Sequence, residues 1–283
     1  MIVTVFVILC LCIIAMAIEL QRFKITNYTV HSKKLKQEYT VLFLSDLHGK
    51  TFQGRLLNKV KAANPDYIFL GGDVVTKRKR KELTTMIPFL ASLQKIAPVY
   101  YGFGNHETTI EEIFCPKEET YRTLFHDYCE QIRQFGIRIV RNESINLNEE
   151  LMLSVLELPS VYYRKREKVT LSEEELFSFL KPMNTDQFHI LMAHHPIFAE
   201  TYGKLHPDLI LSGHTHGGLV RFPWIGSILS TELLWFPKYD GGPYWIKTKT
   251  GKIPFYVSKG LGYHSYPIRI LNRAEMLKIH LLP

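Results

Sequence analysis

Five short motifs place metal-ligating side chains beside a glycine or just after an apolar run. They read Ser45-Asp46-Leu47-His48-Gly49, Gly71-Gly72-Asp73, Gly104-Asn105-His106-Glu107, Ala193-His194-His195-Pro196 and Gly213-His214-Thr215-His216-Gly217-Gly218. Together they offer Asp46, His48, Asp73, Asn105, His194, His214 and His216 as candidate ligands, with His106 left over. Carboxylate and imidazole donors suit Mn, Fe or Zn, and the absence of cysteine from all five motifs argues against a structural thiolate zinc site. Such a donor set suits two-metal hydrolysis. Two divalent ions about 3.5–4 Å apart clamp a phosphoryl group and acidify a bridging water, which then attacks in line.

Spacing supports the grouping. Asp46 and His48 are two apart at the end of the apolar run 40–45. In an extended strand, side chains at i and i+2 point to the same side, so both are expected to reach one ion. The same spacing relates His214 and His216. Asp73 follows Tyr67-Ile68-Phe69-Leu70 and two glycines. Glycine lets backbone approach an ion or phosphate closely, and a carboxylate there can bridge two ions.

With these residues in order, the chain resembles the calcineurin-like metallophosphoesterase superfamily, whose pattern is D-x-H, G-D, G-N-H-D/E, H and G-H-x-H. The resemblance runs from about Tyr39 to the C-terminus. It is similar in particular to the membrane-anchored bacterial branch, through Gly213 to Gly218, through Val257-Ser258-Lys259-Gly260-Leu261-Gly262 and through the later Pro267-Ile268-Arg269-Ile270. The resemblance implies that Asp46, His48, Asp73 and His216 hold one ion. It implies that Asp73, Asn105, His194 and His214 hold the other, with Asp73 shared, and that a histidine-x-proline spacing selects His194 over His195. It assigns Asn105 and His106 to the substrate phosphate, His106 protonating the leaving oxygen, a contribution of roughly 10²–10⁴-fold for a general acid. Leu219 stands where the family usually has a polar residue, and Arg273-Ala274-Glu275 where the branch has Pro-Pro-Glu.

The implied fold is an α/β four-layer α/β/β/α sandwich, preceded here by one transmembrane helix, with the metals at the sheet edges. The implied function is a two-metal-dependent phosphoester hydrolase, a phosphodiesterase or pyrophosphatase acting near the membrane on a phosphate ester, lipid-linked in one form. A lipid-precursor pyrophosphatase of the UDP-diacylglucosamine type is an alternative within the enzymes. A metal-poor membrane scaffold is the alternative from another class, because fold does not imply function. No ligand position is replaced in this chain, which counts against the scaffold.

The motifs must be held by strands. Short apolar runs over 41–45, 67–70, 99–103, 188–192 and 209–211 each lead into one. Helices are expected over 53–63, 82–95 and 120–135, and over 172–180, where Ser172 and Glu175 form a capping box. Further strands are expected over 137–140, 145–147, 151–156, 253–257 and 276–281. Alternation of this kind gives an α/β fold with ligands at the carboxyl ends of strands. Residues 108–119 and 222–250 read as irregular. The second stretch holds Phe222, Trp224, Trp235, Phe236, Tyr239, Tyr244 and Trp245, and an apolar wall over the metals is expected from it.

At 283 residues, with 46% apolar and 22% charged residues, the chain can bury one sizeable core or two small ones. The net charge of +8 favours an anionic partner. Basic residues cluster from Arg22 to Lys36 and over Lys77-Arg78-Lys79-Arg80-Lys81, beside the Asp73 motif. No nucleic-acid-binding motif accompanies them, so no specific nucleic-acid partner is expected. Cys10 and Cys12 lie in the apolar N-terminus, and Cys115 and Cys129 are free or paired.

Ile2 to Ile18 contains Thr4 as its one weakly polar residue and no charge. As a helix it spans roughly 26 Å, close to the ~30 Å hydrocarbon core. The expected organisation is a transmembrane helix over 1–21, a basic juxtamembrane tether over 22–38 and a metallophosphoesterase domain over 39–283. A cleaved signal peptide is the alternative, with Ala15-Met16-Ala17 as the one cleavage-like triplet. Against it, no basic segment precedes the apolar run. The lysines and arginines that follow the run place the catalytic domain on the cytoplasmic side of a single-pass membrane protein, although the membrane-anchored branch includes externally facing enzymes.

Overall fold

Strand β2 (Tyr39–Leu44) is buried along almost its whole length because both of its faces are covered. Its side chains alternate, as a period of two requires. Val41 and Phe43 enter one apolar cluster, and Leu42 and Leu44 enter another. The computed structural model describes residue 7 and residues 13–164, 169–222, 224–231, 233–249, 251–263 and 267–283.

β2 lies inside a six-stranded mixed sheet. Its order is β1 (Phe23–His31), β14 (Ala274–Leu282), β2, β3 (Tyr67–Leu70), β4 (Val99–Tyr101) and β5 (Arg138–Ile139). β2 to β5 run parallel, and β14 is antiparallel to β2. A second six-stranded sheet has the order β12 (Gly242–Lys247), β13 (Lys252–Val257), β9 (Leu209–Ser212), β8 (Phe188–Ala193), β7 (Leu151–Leu156) and β6 (Glu143–Asn146). Its inner strands β13, β9, β8 and β7 are parallel. A small hairpin, β10 (Val220–Phe222) and β11 (Gly226–Leu229), stands apart from both sheets.

The two sheets face each other across Val41, Phe43, Phe69, Val155, Ile190, Met192 and Leu211. The outer face of the first sheet is covered by helices Arg55–Ala63, Ile87–Gln94 and Glu119–Gln134, through Leu56, Val60, Leu90, Leu93, Phe125 and Ile132. Leu176, Phe198 and Tyr202 cover the outer face of the second. The layering is therefore helix, sheet, sheet, helix. Helix Glu173–Phe179 opens with the expected capping box. The Glu175 N–H donates to Ser172 Oγ at 3.1 Å, and the Ser172 N–H donates to Glu175 Oε2 at 2.9 Å.

Several expectations are corrected. Residues 22–38 are not simply a tether, since β1 pairs with β14 in unbroken parallel register from Phe23 opposite Ala274 to His31 opposite Leu282. Each face of β1 carries two apolar residues. Phe23 and Ile25 pack on the helix side, and Tyr28 and Val30 pack between the sheets. The polar residues between them mask the strand in the sequence. Residues 108–119 are not irregular, because helix Asn105–Thr109 runs into a π-helical turn, Ile110–Phe114. The helix expected over 82–95 is two pieces, with a break at Met86 ahead of Pro88. The stretch 222–250 contains β11 and the edge strand β12. Cys115 and Cys129 are both free and buried. The expected membrane span over 1–21 falls largely outside the described residues, of which 13–20 are helical. Among the described residues no helix is long and apolar enough to cross a membrane.

Candidate metal centre

β2, β3 and β4 of one sheet and β8 and β9 of the other end at a common edge, and each delivers one motif. Asp46, His48, Asp73, His214 and His216 all lie beyond the strand ends at positive φ, between 46° and 73°. The extended-strand geometry expected for Asp46 with His48, and for His214 with His216, is therefore replaced by left-handed turns. Such backbone is costly for non-glycine residues and persists where the surroundings over-determine it. Here the determinants are backbone hydrogen bonds between adjacent loops. Asp46 N–H donates to Gly72 O at 2.9 Å, His48 N–H to Asp73 O at 3.0 Å and Gly49 N–H to Val74 O at 3.0 Å.

The side chains converge despite this change of backbone. Three groups bring ligand atoms within 4.8 Å of one another: Asp46, His48 and His216; His48, Asp73 and His106; and Asp73, His194 and His214. His48 Nε2 and His216 Nε2 are 3.2 Å apart. His216 Nε2 lies 3.4 Å from Asp46 Oδ1, and His194 Nε2 lies 3.4 Å from Asp73 Oδ2. Asn105 Oδ1 sits 2.8 Å from His214 Nδ1. Every expected ligand is thus at one centre, with Asp73 between the two sides. His195 is in none of these groups; its ring lies between Tyr163, on which it stacks at 5.0 Å, and His214, at 4.4 Å between centroids.

Two features fit this centre to cations. Asp73 Oδ2 is buried and accepts no hydrogen bond, although three imidazole nitrogens, of His48, His106 and His194, lie 3.4–3.9 Å from it. A buried carboxylate oxygen without a donor is expensive unless a cation meets it. Second, His194 Nδ1 is 2.6 Å from the Gly71 carbonyl. A carbonyl only accepts, so in the neutral ring the proton is on Nδ1 and the Nε2 lone pair faces the centre, as a metal-ligating histidine requires.

Electrostatics follow from the same packing. Burial pushes Asp46 up to about 6, with His194 pulling it down and Asp73 adding to the rise. Burial also opposes the charge on Asp73, but His106, His194 and His48 together hold it well below the usual carboxylate range. Burial disfavours the His194 cation, yet Asp73 and Asp46 raise it to about 9.

His106 differs from the ligands. Its Nδ1 accepts the Lys77 backbone N–H at 3.0 Å, which puts the proton of the neutral ring on Nε2. That nitrogen faces Asp73 Oδ2 at 3.9 Å as a donor. His106 is thus equipped to give a proton rather than a lone pair.

Other residues that position the site carried no assigned role in the sequence. The Glu107 carboxylate accepts the backbone N–H groups of Asp73, Val74, Val75 and Gly104 and the Tyr101 hydroxyl, at 2.7–3.2 Å. Its place at the end of the Gly104-Asn105-His106 motif was the signal available. Gly104 is required because a Cβ there would meet the Asp73 carboxylate. The Arg269 guanidinium is fully buried among carbonyls, donating to Gly262 O at 2.6 Å, Lys259 O at 2.7 Å and His216 O at 3.3 Å. Asn272 Nδ2 also donates to His216 O, at 2.7 Å. The Val257 to Gly262 stretch packs beneath Asp46, with Gly262 N–H donating to Asp46 O at 2.6 Å.

A cavity of about 740 Å³ opens over His48, Asn105, His106 and His214. Lys77, Arg78, Lys79 and Arg164 line it, and no carboxylate does so among the described residues. Its aromatic walls are Tyr163 and Tyr263. The wall expected from the 222–250 stretch is absent here, since none of its described aromatic residues lines this cavity.

Residues 39–218 match the calcineurin-like phosphoesterase family. An uncharacterised metallophosphoesterase from Helicobacter pylori strain J99 is 27% identical over 271 residues, covering 93% of this chain and 65% of the relative. The chain thus spans about two thirds of that relative's length. The uncharacterised metallophosphoesterase YkoQ of Bacillus subtilis strain 168 is 25% identical over 248 residues, covering 85% of this chain and 83% of YkoQ. A dimetal phosphatase structure from Danio rerio aligns with a TM-score of 0.42 at 9% identity, covering 80% of this chain and 88% of that one. With its five motifs gathered at one edge of the two sheets and the family match extending over 39–218, the chain belongs to the calcineurin-like phosphoesterase family.

Proposed function

We propose that this protein is a two-metal-dependent phosphoester hydrolase acting on a phosphodiester or pyrophosphate. The observation that carries the proposal is Asp73 Oδ2, buried without a hydrogen bond and facing three imidazole nitrogens. Asp46, His48, Asp73 and His216 would hold one divalent ion, of Mn, Fe or Zn, and Asp73, Asn105, His194 and His214 the other. Ions bound there supply Lewis acidity to a phosphoryl oxygen and acidify a water.

The chain's own residues supply the rest. Asn105, beside His106 in the lining of the cavity, would help hold the substrate phosphate. His106 offers Nε2–H to the leaving oxygen, and the Lys77 N–H fixes the tautomer that makes this geometry available. Lys77, Arg78, Lys79 and Arg164 give the cavity a cationic lining that favours a substrate with negative charge beyond the reacting phosphoryl group. A pyrophosphate, or a diester whose leaving group is itself anionic, meets that description better than a small monoester whose leaving alcohol is uncharged.

The test compares kcat/KM, with added Mn²⁺, for a nucleotide pyrophosphate, a bis-aryl phosphodiester and an aryl monoester. The proposal expects the monoester to be the poorest of the three. A monoester preferred over both others would contradict it. The apolar run Ile2 to Ile18 supports attachment to a membrane, with the basic residues after it favouring a cytoplasmic catalytic domain. Protease accessibility in oriented membrane vesicles tests that placement, and cleavage of the catalytic domain only from the outer side would contradict it.

A further inference from the structure

Among the described residues, a set of exposed large apolar side chains lies on the β10–β11 hairpin and the loop after it, and none of them lines the metal cavity. We infer that this surface is a bilayer-docking face, seated at the headgroup–acyl boundary of an anionic membrane. Trp224, at the turn of the hairpin, is fully exposed, and Ile225 beside it is 64% exposed. Leu233, Leu234, Trp235 and Phe236 are exposed on the following loop, with Trp235 at 70%. That loop returns to the hairpin through a bridge between Leu229 and Trp235, and a second bridge joins Val220 to Ile270, next to the exposed Leu271. The exposed side chains thus belong to one connected unit. A soluble surface rarely leaves so many large apolar groups together without a partner.

Three observations favour a lipid surface as that partner. Tryptophans at the tips are the residue type that settles at the membrane interface. The helical residues 13–20 end at the same face, where Ile13 and Met16 share a cavity of about 1030 Å³ with Trp224, Ile225 and Leu271. The described end of the uncharged apolar run therefore lies beside the hairpin, so a membrane holding that end meets the hairpin tips. Finally, this cavity carries four cations that are not enclosed by carbonyls, Lys24, Arg221, Lys259 and Arg273, against three carboxylates that pair with them, Glu19, Asp240 and Glu275. That one surplus positive charge beside apolar tips, on a chain of net charge +8, suits anionic headgroups. Thr231, just before the exposed loop, lines the metal cavity, so the docked face adjoins its mouth.

This inference rests on the membrane-attachment part of the proposed function and is independent of the metal chemistry. The test uses the full chain in vesicles of phosphatidylcholine and phosphatidylglycerol with brominated acyl chains, which quench tryptophan in contact with lipid. Three single-tryptophan proteins retain Trp224, Trp235 or Trp245, the other two positions being phenylalanine. Trp245 is the control, because it lines a different cavity with His31 and Pro254. Trp224 and Trp235 are expected to lose roughly twofold more emission than Trp245, and more in anionic than in purely zwitterionic vesicles. Co-flotation with vesicles but equal quenching of all three would leave attachment intact and overturn the docking face. Failure to co-float would overturn attachment and docking together. Quenching that ignores lipid charge would overturn the anionic partner.

Discussion

Glu107 and Asp73 each hold the other's segment in place. Glu107 Oε2 accepts the Asp73 backbone N–H at 2.9 Å, and Asp73 Oδ1 accepts the backbone N–H of His106, next to Glu107, at 2.8 Å. The loop that carries the shared carboxylate is thereby fastened to the helix that carries Asn105 and His106. Since Asp73 is at φ 53°, its position depends on this fastening.

Glu107→Gln keeps the shape of the side chain but removes the carboxylate that gathers five donors. Each charge-assisted bond of this kind contributes about 1.5–3 kcal/mol, and the amide also brings an NH₂ against backbone N–H groups. The variant is expected to lose about 2–3 kcal/mol of unfolding free energy, measured by urea denaturation of the metal-free protein. A loss within 0.5 kcal/mol, the range of an ordinary surface substitution, would show that the clamp is not needed.

His106→Gln separates proton donation from metal binding. If Nε2–H serves the leaving oxygen, the variant keeps its metal content and loses roughly 10²–10⁴-fold in kcat on a substrate with a poor leaving group. The loss should be much smaller with an aryl leaving group, which departs without a proton. Loss of metal in proportion to activity would instead make His106 a ligand.

Arg269→Met leaves the carbonyls of Lys259 and Gly262 without their buried donor and His216 O with Asn272 Nδ2 alone. An unsatisfied buried acceptor costs about 1–3 kcal/mol. The expected result is a lower melting temperature and, because the His216 carbonyl keeps only one of its two donors, weaker binding of one of two Mn²⁺ ions in a calorimetric titration. Equal weakening at both sites would contradict a local role.

His189 sets an acid limit on stability. Burial pushes it down to about 4, and its Nε2 lies 2.6 Å from Ser154 Oγ in the core. The unfolded value is near 6.5, so between these two values the unfolded chain binds the extra proton. The contribution is fully present above pH 6.5 and is lost as pH falls toward 4. At about 1.4 kcal/mol per unit it amounts to roughly 3 kcal/mol. Urea unfolding at pH 7 and pH 4.5 should show a smaller drop for His189→Gln than for the wild type. An identical drop would remove His189 from the acid sensitivity.

The centre was legible because its chemistry is local. Each motif joins ligands to the end of a strand that is apolar on both faces, and runs such as 41–44 and 188–192 stand out without help from tertiary contacts. β1 was not legible, since half of each face is polar and its pairing partner lies some 250 residues away in sequence. The left-handed turns at Asp46 and His48 were hidden because their backbone is imposed by hydrogen bonds from another loop, which spacing does not encode. Arg269 could be seen in the sequence, but a buried guanidinium serving the carbonyls of His216, Lys259, Gly260, Gly262 and Asn272 looks no different there from a surface one. The aromatic stretch misled for a related reason. Its composition indicates a sticky surface, while its direction depends on a hairpin that belongs to neither sheet.

The central claim is that Asp73 is shared by two ions that make the centre active. The most direct measurement is the metal content of the purified full chain, made alongside hydrolysis of a chromogenic phosphodiester by wild type and Asp73→Asn, with Mn²⁺ and with chelator. The account predicts two ions per wild-type chain, turnover abolished by chelator, and loss of both metal and turnover in Asp73→Asn. Turnover that survives chelation, or an Asp73→Asn protein that keeps two ions and full activity, would contradict it.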